Sequence, residues 1–156
     1  MQIVGIFALV ASIVFVGLQL KQSQEIAMSQ AFQSRTDTNL AMYLASAENP
    51  MFVSATAKFY SGDAESMTPE ELVVMRQYAR VLLSSSENLH YQYVNGFISE
   101  ERQRSGRDQF KRMLSGEMVP FPVRQIYVET KIIFLPEFQG YVDEILREID
   151  GEKTSK

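Results

Sequence analysis

The chain has 156 residues, 46% hydrophobic and 22% charged, with 15 basic against 19 acidic side chains and a formal net charge of -4, which is enough chain to bury one core. An acidic balance without a long basic tract excludes a dedicated nucleic-acid binder, which must neutralise phosphates. With no Cys and His90 as the single histidine, a disulfide, a thiolate nucleophile, a cysteine metal site and a multi-histidine metal centre are all excluded within one chain.

Charge is distributed unevenly, because every charged side chain lies at or after Lys21. Ile3 to Leu20 reads IVGIFALVASIVFVGLQL, and at ~1.5 Å per residue this stretch would span about 27 Å as a helix, enough to cross a bilayer core. Its β-branched residues would suit a strand in water. In hydrocarbon, however, each peptide group needs an internal partner, which a helix supplies and a lone strand does not. A cleaved secretory signal is disfavoured: Met1 and Gln2 offer no positive n-region, and the small-x-small triplet Ala27-Met28-Ser29 lies far from the apolar end. Residues 1–20 are therefore expected to form a transmembrane anchor. Lys21 and Arg35 follow it and no basic residue precedes it, so the positive-inside tendency puts the N-terminus outside and the body in the cytoplasm. Gly5, Ala8 and Ser12 share one face, where a neighbouring helix could approach closely, although small residues scattered by chance give the same pattern.

Residues 21–48 are rich in Gln and Ser and read as a helical stalk, followed by a bundle over 49–150 and a flexible tail over 151–156. Asn49-Pro50 opens a short helix carrying Phe52, Ala55, Thr56, Phe59 and Tyr60. Thr68-Pro69-Glu70-Glu71 combines an N-cap, a first-turn proline and a capping-box glutamate. The longest element is predicted from Pro69 to about Asn95, where Leu72, Met75, Ala79, Leu82, Ser86, Leu89 and Tyr93 alternate steps of three and four as a packing seam. Ser99 caps the next helix, which runs through Phe110, Met113 and Leu114 to Gly116. Ile126, Tyr127, Thr130, Ile133 and Phe134 form another, and Pro136 opens the last, whose face is Phe138, Tyr141, Val142, Ile145 and Ile149. The expected fold is all-α: an N-terminal transmembrane helix that continues through the stalk into a small bundle of about five helices.

Polar residues crowd the second half of the long helix. Glu87, Asn88, His90 and Tyr91 form the candidate cluster, since Glu87 lies three positions from His90 and four from Tyr91 on one helical face. Glu87-x-x-His90 is half of a carboxylate-bridged di-metal motif, but one chain lacks the second half. Acid–base catalysis by the pair would need a partner in a pocket. The simpler reading makes these side chains fasteners between helices, so no catalytic, cofactor or metal residue is assigned. Arg102, Arg104, Arg107, Lys111 and Arg112 form the one basic concentration in the body. It could touch anionic lipid headgroups, or be a solvated face balanced by Glu100, Glu101 and Asp108. Phosphate-binding glycine loops, a Gly-x-Ser-x-Gly elbow and His-Glu-x-x-His do not occur.

Val16-Gly17-Leu18-Gln19-Leu20-Lys21-Gln22, Glu87-Asn88-Leu89-His90-Tyr91-Gln92-Tyr93 with Gly96, and Pro136-Glu137-Phe138 with Val142 resemble, in the same order, a group of small bacterial single-pass membrane proteins. Members often carry an aromatic where this chain has Ser86. The resemblance implies a bacterial inner-membrane location and an all-helical body, and it implies no reaction. The expected function is a non-enzymatic, membrane-anchored interaction or accessory module without a cofactor. Its expected partners are the bilayer and either another protein or a second copy, not nucleic acid. The alternative is an enzyme or metal-binding protein centred on Glu87 and His90.

Overall fold

A computed structural model of the chain describes residues 2–119 and 123–154, without the side chains of residues 2–5, 8 and 153. Every regular element among the described residues is helical: α1 (Gln2–Glu48), α2 (Pro50–Tyr60), α3 (Pro69–Val94), α4 (Glu100–Ser115), α5 (Val123–Thr130) and α6 (Pro136–Thr154), with single 3-10 turns at Ala64–Ser66 and Lys131–Ile133. The chain divides into two compact units, Met1–Met42 and Tyr43–Lys156.

The first unit is the larger part of α1. Ile6, Phe7, Leu9, Val10, Ile13, Phe15, Val16 and Leu18 are each more than half exposed, and at about 100° per residue these positions are spread around the helix. Among the described residues, no helix is long and apolar enough to cross a membrane. The transmembrane helix expected over residues 1–20 is thus not a feature of the described structure, which shows an apolar helix there. That expected segment includes residues 2–5 and 8, whose side chains lie outside the description.

In the second unit the helix starts follow local chemistry. Asn49 Oδ1 accepts from Met51 N at 3.0 Å and Phe52 N at 3.2 Å, satisfying amides that have no intrahelical partner. At the start of α3, Thr68 Oγ1 accepts from Glu71 N at 3.3 Å while Glu71 Oε2 accepts from Thr68 N at 2.7 Å, closing the predicted capping box. Ser99 Oγ caps α4 through Arg102 N at 3.3 Å. Gly116 ends α4 at φ +85°, a backbone conformation that glycine adopts without steric cost. The last residues of α1 belong with this unit rather than with the stalk, and Ser46 is hydrogen-bonded to Tyr78 of α3.

The core is built from one face of each remaining helix. Ala55 of α2, Leu83 of α3, Phe110 of α4, Ile126 of α5, and Phe138 and Ile145 of α6 are all at most 2% exposed, and each large apolar side chain removed from water contributes about 1.5–3 kcal/mol. On α3 the shielded stripe is Glu71, Met75, Ala79 and Leu83, whereas Leu72, placed in the predicted seam, is 49% exposed. The reason is tertiary. α3 meets α2, α4, α5 and α6, so it is wrapped by several neighbours instead of packing along one seam, and the capping box draws Glu71 inward. Gly106 of α4 faces Leu89 of α3, and a Cβ there would lie 2.5 Å from Leu89 Cδ2.

Two boundaries differ from expectation. The fifth helix stops at Thr130 and tightens into the 3-10 turn Lys131–Ile133, because Phe134 must turn to an extended backbone before the Leu135-Pro136 step, whose proline disfavours helix at the preceding residue. At the other end, α6 continues through Gly151 to Thr154, where a flexible tail was expected from 151. Lys111 Nζ holds Glu152 at 2.7 Å, and Thr154 Oγ1 donates to Asp150 O at 2.9 Å. Residues 155–156 lie outside the described residues.

Candidate functional site

Glu87 and His90 lie one turn apart on α3, and both act on the beginning of α6. Glu87 Oε1 accepts from Leu135 N at 2.7 Å, immediately before Pro136, so an anionic carboxylate sits at the positive end of the α6 dipole. The His90 ring stacks on Tyr141 with centroids 4.3 Å apart and planes 21° apart, and it lies 6.1 Å from the Phe138 ring. His90 Nδ1 is buried without a hydrogen-bond partner among the described residues. Burial pushes the imidazole below its ordinary pKa, against the opposing pull of Glu137 in the first turn of α6. Tyr141 is pushed up to about 12, chiefly by burial, with Arg107 and a hydrogen bond from Gln103 acting the other way.

The remaining members of the cluster point elsewhere. Asn88 Oδ1 accepts from Gln92 Nε2 at 2.6 Å on the exposed side of α3, and Tyr91 is 52% exposed. Ser86 Oγ donates to Leu82 O at 2.9 Å, a bond within its own helix. The sequence-defined cluster therefore splits into an inner pair, Glu87 and His90, and an outer pair, Asn88 and Tyr91. Among the described residues no hydrogen bond joins Glu87 to His90, and no three His, Asp or Glu side chains converge as they would around a metal ion.

The chain matches no family model, no curated protein and no solved structure at a significant level.

The basic residues of α4 are placed mostly in ion pairs. Arg107 reaches Glu148 at 2.5 Å and Glu144 at 3.2 Å, and Lys111 reaches Glu152 at 2.7 Å and Glu148 at 3.3 Å. Together they lace α4 to α6. Arg104 pairs with Glu100 at 3.3 Å and Arg112 with Glu117 at 3.6 Å, both on the surface, and among the described residues Arg102 makes no ion pair. Arg107 is held above its ordinary pKa by its hydrogen bond to Glu148. Arg107 and Lys111 are thus committed to α6, while Arg102, Arg104 and Arg112 are exposed on the surface. Of the proposed packing face on α1, Ser12 is exposed, and the side chains of Gly5 and Ala8 lie outside the described residues.

Sequence reasoning did not find the acidic partners Glu144, Glu148 and Glu152. Their spacing of four along α6 was the available signal, since it aligns three carboxylates on one side of the helix.

The His90 environment has a testable pH signature. Its pKa in the folded protein lies below the ordinary 6.5, so between those two values the unfolded chain binds more protons and folding stability falls as the pH falls. Above about 6.5 this contribution is fully present. His90→Phe, which keeps a ring against Tyr141, should abolish that part of the decline, as urea midpoints measured from pH 7.5 to 5 would show. Parallel profiles for the two proteins would refute the assignment.

Proposed function

We propose that this chain is a non-enzymatic helical module tethered to the bacterial inner membrane by residues 1–20, with its helical body on the cytoplasmic face, where it binds another protein or a second copy. The carrying observation is the charge-free run up to Leu20 together with the exposure of its apolar side chains on every side of α1. A helix that is apolar all round requires an apolar environment. Ile3 to Leu20 is long enough to be such a span, and Lys21 and Arg35 favour a cytoplasmic body. The absence of an enzymatic role is supported by the engagement of Glu87 and His90, the residues best suited to chemistry, in docking α6.

The tether is testable on the full chain by alkaline carbonate washing of membranes. The wild-type protein should stay with the membrane pellet, and Val14→Asp should move most of it to the supernatant, because one carboxylate at mid-span costs about 2.5–3.5 kcal/mol on insertion scales. Wild-type protein released by carbonate would reject the tether. A fusion reporter at Lys156 active only outside the cytoplasm would reverse the orientation. Gentle detergent extraction and sizing test the partner, since a lone monomer would count against the interaction role.

A further inference from the structure

Asn95-Gly96 is the one asparagine–glycine step in the chain, and it closes α3. Asparagine is a thermolabile residue, because the backbone nitrogen of the residue that follows can attack its side-chain Cγ. Glycine in that following position carries no side chain to shield the nitrogen. Asn39 and Asn88 are instead followed by leucines, and Asn49 by Pro50, which has no N–H. Asn95 is exposed, and a Cβ added at Gly96 would meet no atom within 4 Å, so solvent reaches the step.

The folded turn holds the reacting groups apart. Gly96, at φ +77°, donates its N–H to Tyr93 O at 2.9 Å, and Phe97 N donates to Gln92 O at 2.8 Å, the paired bonds of a glycine-terminated helix. Asn95 Nδ2 donates to Tyr91 O at 2.8 Å, with its backbone at φ -87° and ψ 6°. Attack requires Gly96 N to leave Tyr93 O and turn towards Cγ, so Asn95 has to rotate out of that near-helical ψ. Little resists such an opening. Tyr93 is 36% exposed, Phe97 38% and Val94 48%, and helix ends with few buried apolar side chains open at a small part of the cost of global unfolding.

We propose that Asn95 is a site of spontaneous deamidation, admitted by opening of the last turn of α3. Gly96 N gives its proton to solvent base and bonds to Asn95 Cγ, while the Cγ–Nδ2 bond breaks and the nitrogen takes up a proton and leaves as ammonia. Water then adds to either carbonyl of the resulting five-membered succinimide and breaks its bond to Gly96 N, giving isoaspartate or aspartate. The net change converts an amide and water to a carboxylate and ammonium.

Either product loosens the turn that produced it. The new carboxylate lies at the negative end of the α3 dipole, and the Nδ2 donor to Tyr91 O is lost. Isoaspartate also lengthens the main chain by a methylene group ahead of Gly96, which takes Gly96 N and Phe97 N out of register with the Tyr93 and Gln92 carbonyls. The segment affected leads directly to Ser99, the N-cap of α4.

The test incubates full-length protein in detergent micelles and oxygen-18 water at mildly alkaline pH, folded and in urea. Digestion follows in ordinary water at mildly acidic pH, so that any later conversion carries no label. The tryptic fragment 81–102 contains both Asn88 and Asn95, and tandem mass spectrometry separates them. The expected result is solvent oxygen at position 95 and not at 88, entering several-fold more slowly in the folded protein than in urea. Val94→Gly replaces an exposed side chain at the last residue of α3 and weakens that end of the helix. It should speed labelling of the folded protein several-fold while leaving the rate in urea as it is. A position 95 that stays unlabelled in urea would overturn the site. Equal rates folded and in urea, or a folded rate that Val94→Gly does not raise, would overturn its control by the turn.

Discussion

Phe138→Ala should destabilise the helical body by about 3–5 kcal/mol, the cost of removing a large ring from a site that cannot collapse to fill the space. Phe138 is 1% exposed. Its ring lies 5.9 Å from Phe110, 5.6 Å from Phe134 and 6.0 Å from Tyr141, and His90 is 6.1 Å away. One substitution therefore disturbs contacts to α3, to α4 and to the turn before α6. A body of this size has about 5–15 kcal/mol of total stability, and the expected loss corresponds to a Tm lower by about 10 °C or more. Thermal unfolding followed by circular dichroism checks it. A loss below about 1 kcal/mol would mean that α6 does not dock through this ring. Loosening the first turns of α6 would also release the hydrogen bond between Leu135 N and Glu87 Oε1.

Much of this architecture was readable in the chain wherever the governing physics is local. Asn49-Pro50, Thr68-Pro69 with Glu71, Ser99 and Gly116 act within a few residues of themselves, and each delimits a helix where its chemistry demands. What escaped was set by partners far along the chain. Glu87 meets Leu135 across 48 positions, so spacing within α3 could group Glu87 with His90 but could not show that both serve α6. Arg107 and Lys111 have acidic neighbours in sequence, Glu101 and Asp108, yet they pair with Glu144, Glu148 and Glu152 across a helix interface. Periodicity likewise favoured Leu72 over Glu71 as an inward position on α3, because an apolar pattern cannot anticipate a carboxylate buried by its own hydrogen bonds.

Glu71 yields the second large effect, and its sign follows from those bonds. The carboxylate accepts from Ser54 Oγ at 2.6 Å, from Lys58 Nζ at 2.8 Å and from Thr68 N at 2.7 Å, while the residue is 5% exposed. The hydrogen bond from Lys58 is the largest cause holding its pKa down, from 4.5 to about 2, followed by those from Ser54 and Thr68. A carboxyl depressed on folding stabilises the native state fully above its unfolded pKa and loses that contribution as the pH falls through the folded one. The window here runs from 4.5 down to about 2. Glu71→Gln retains size and an acceptor oxygen but leaves Lys58 without its counter-charge and breaks the ion pair that joins α2 to α3. It should lower stability clearly at neutral pH, and its deficit relative to the wild type should shrink as the pH passes down that window. Glu129 and Glu148, also held below the ordinary carboxylate range, would leave the variant a shallower acid decline of its own. Urea midpoints between pH 7 and 2 make the comparison. Curves that stay parallel throughout would show that Glu71 is not ionised and bound as described, whereas convergence near the acid end follows only if the carboxylate form is what fastens α2 to α3.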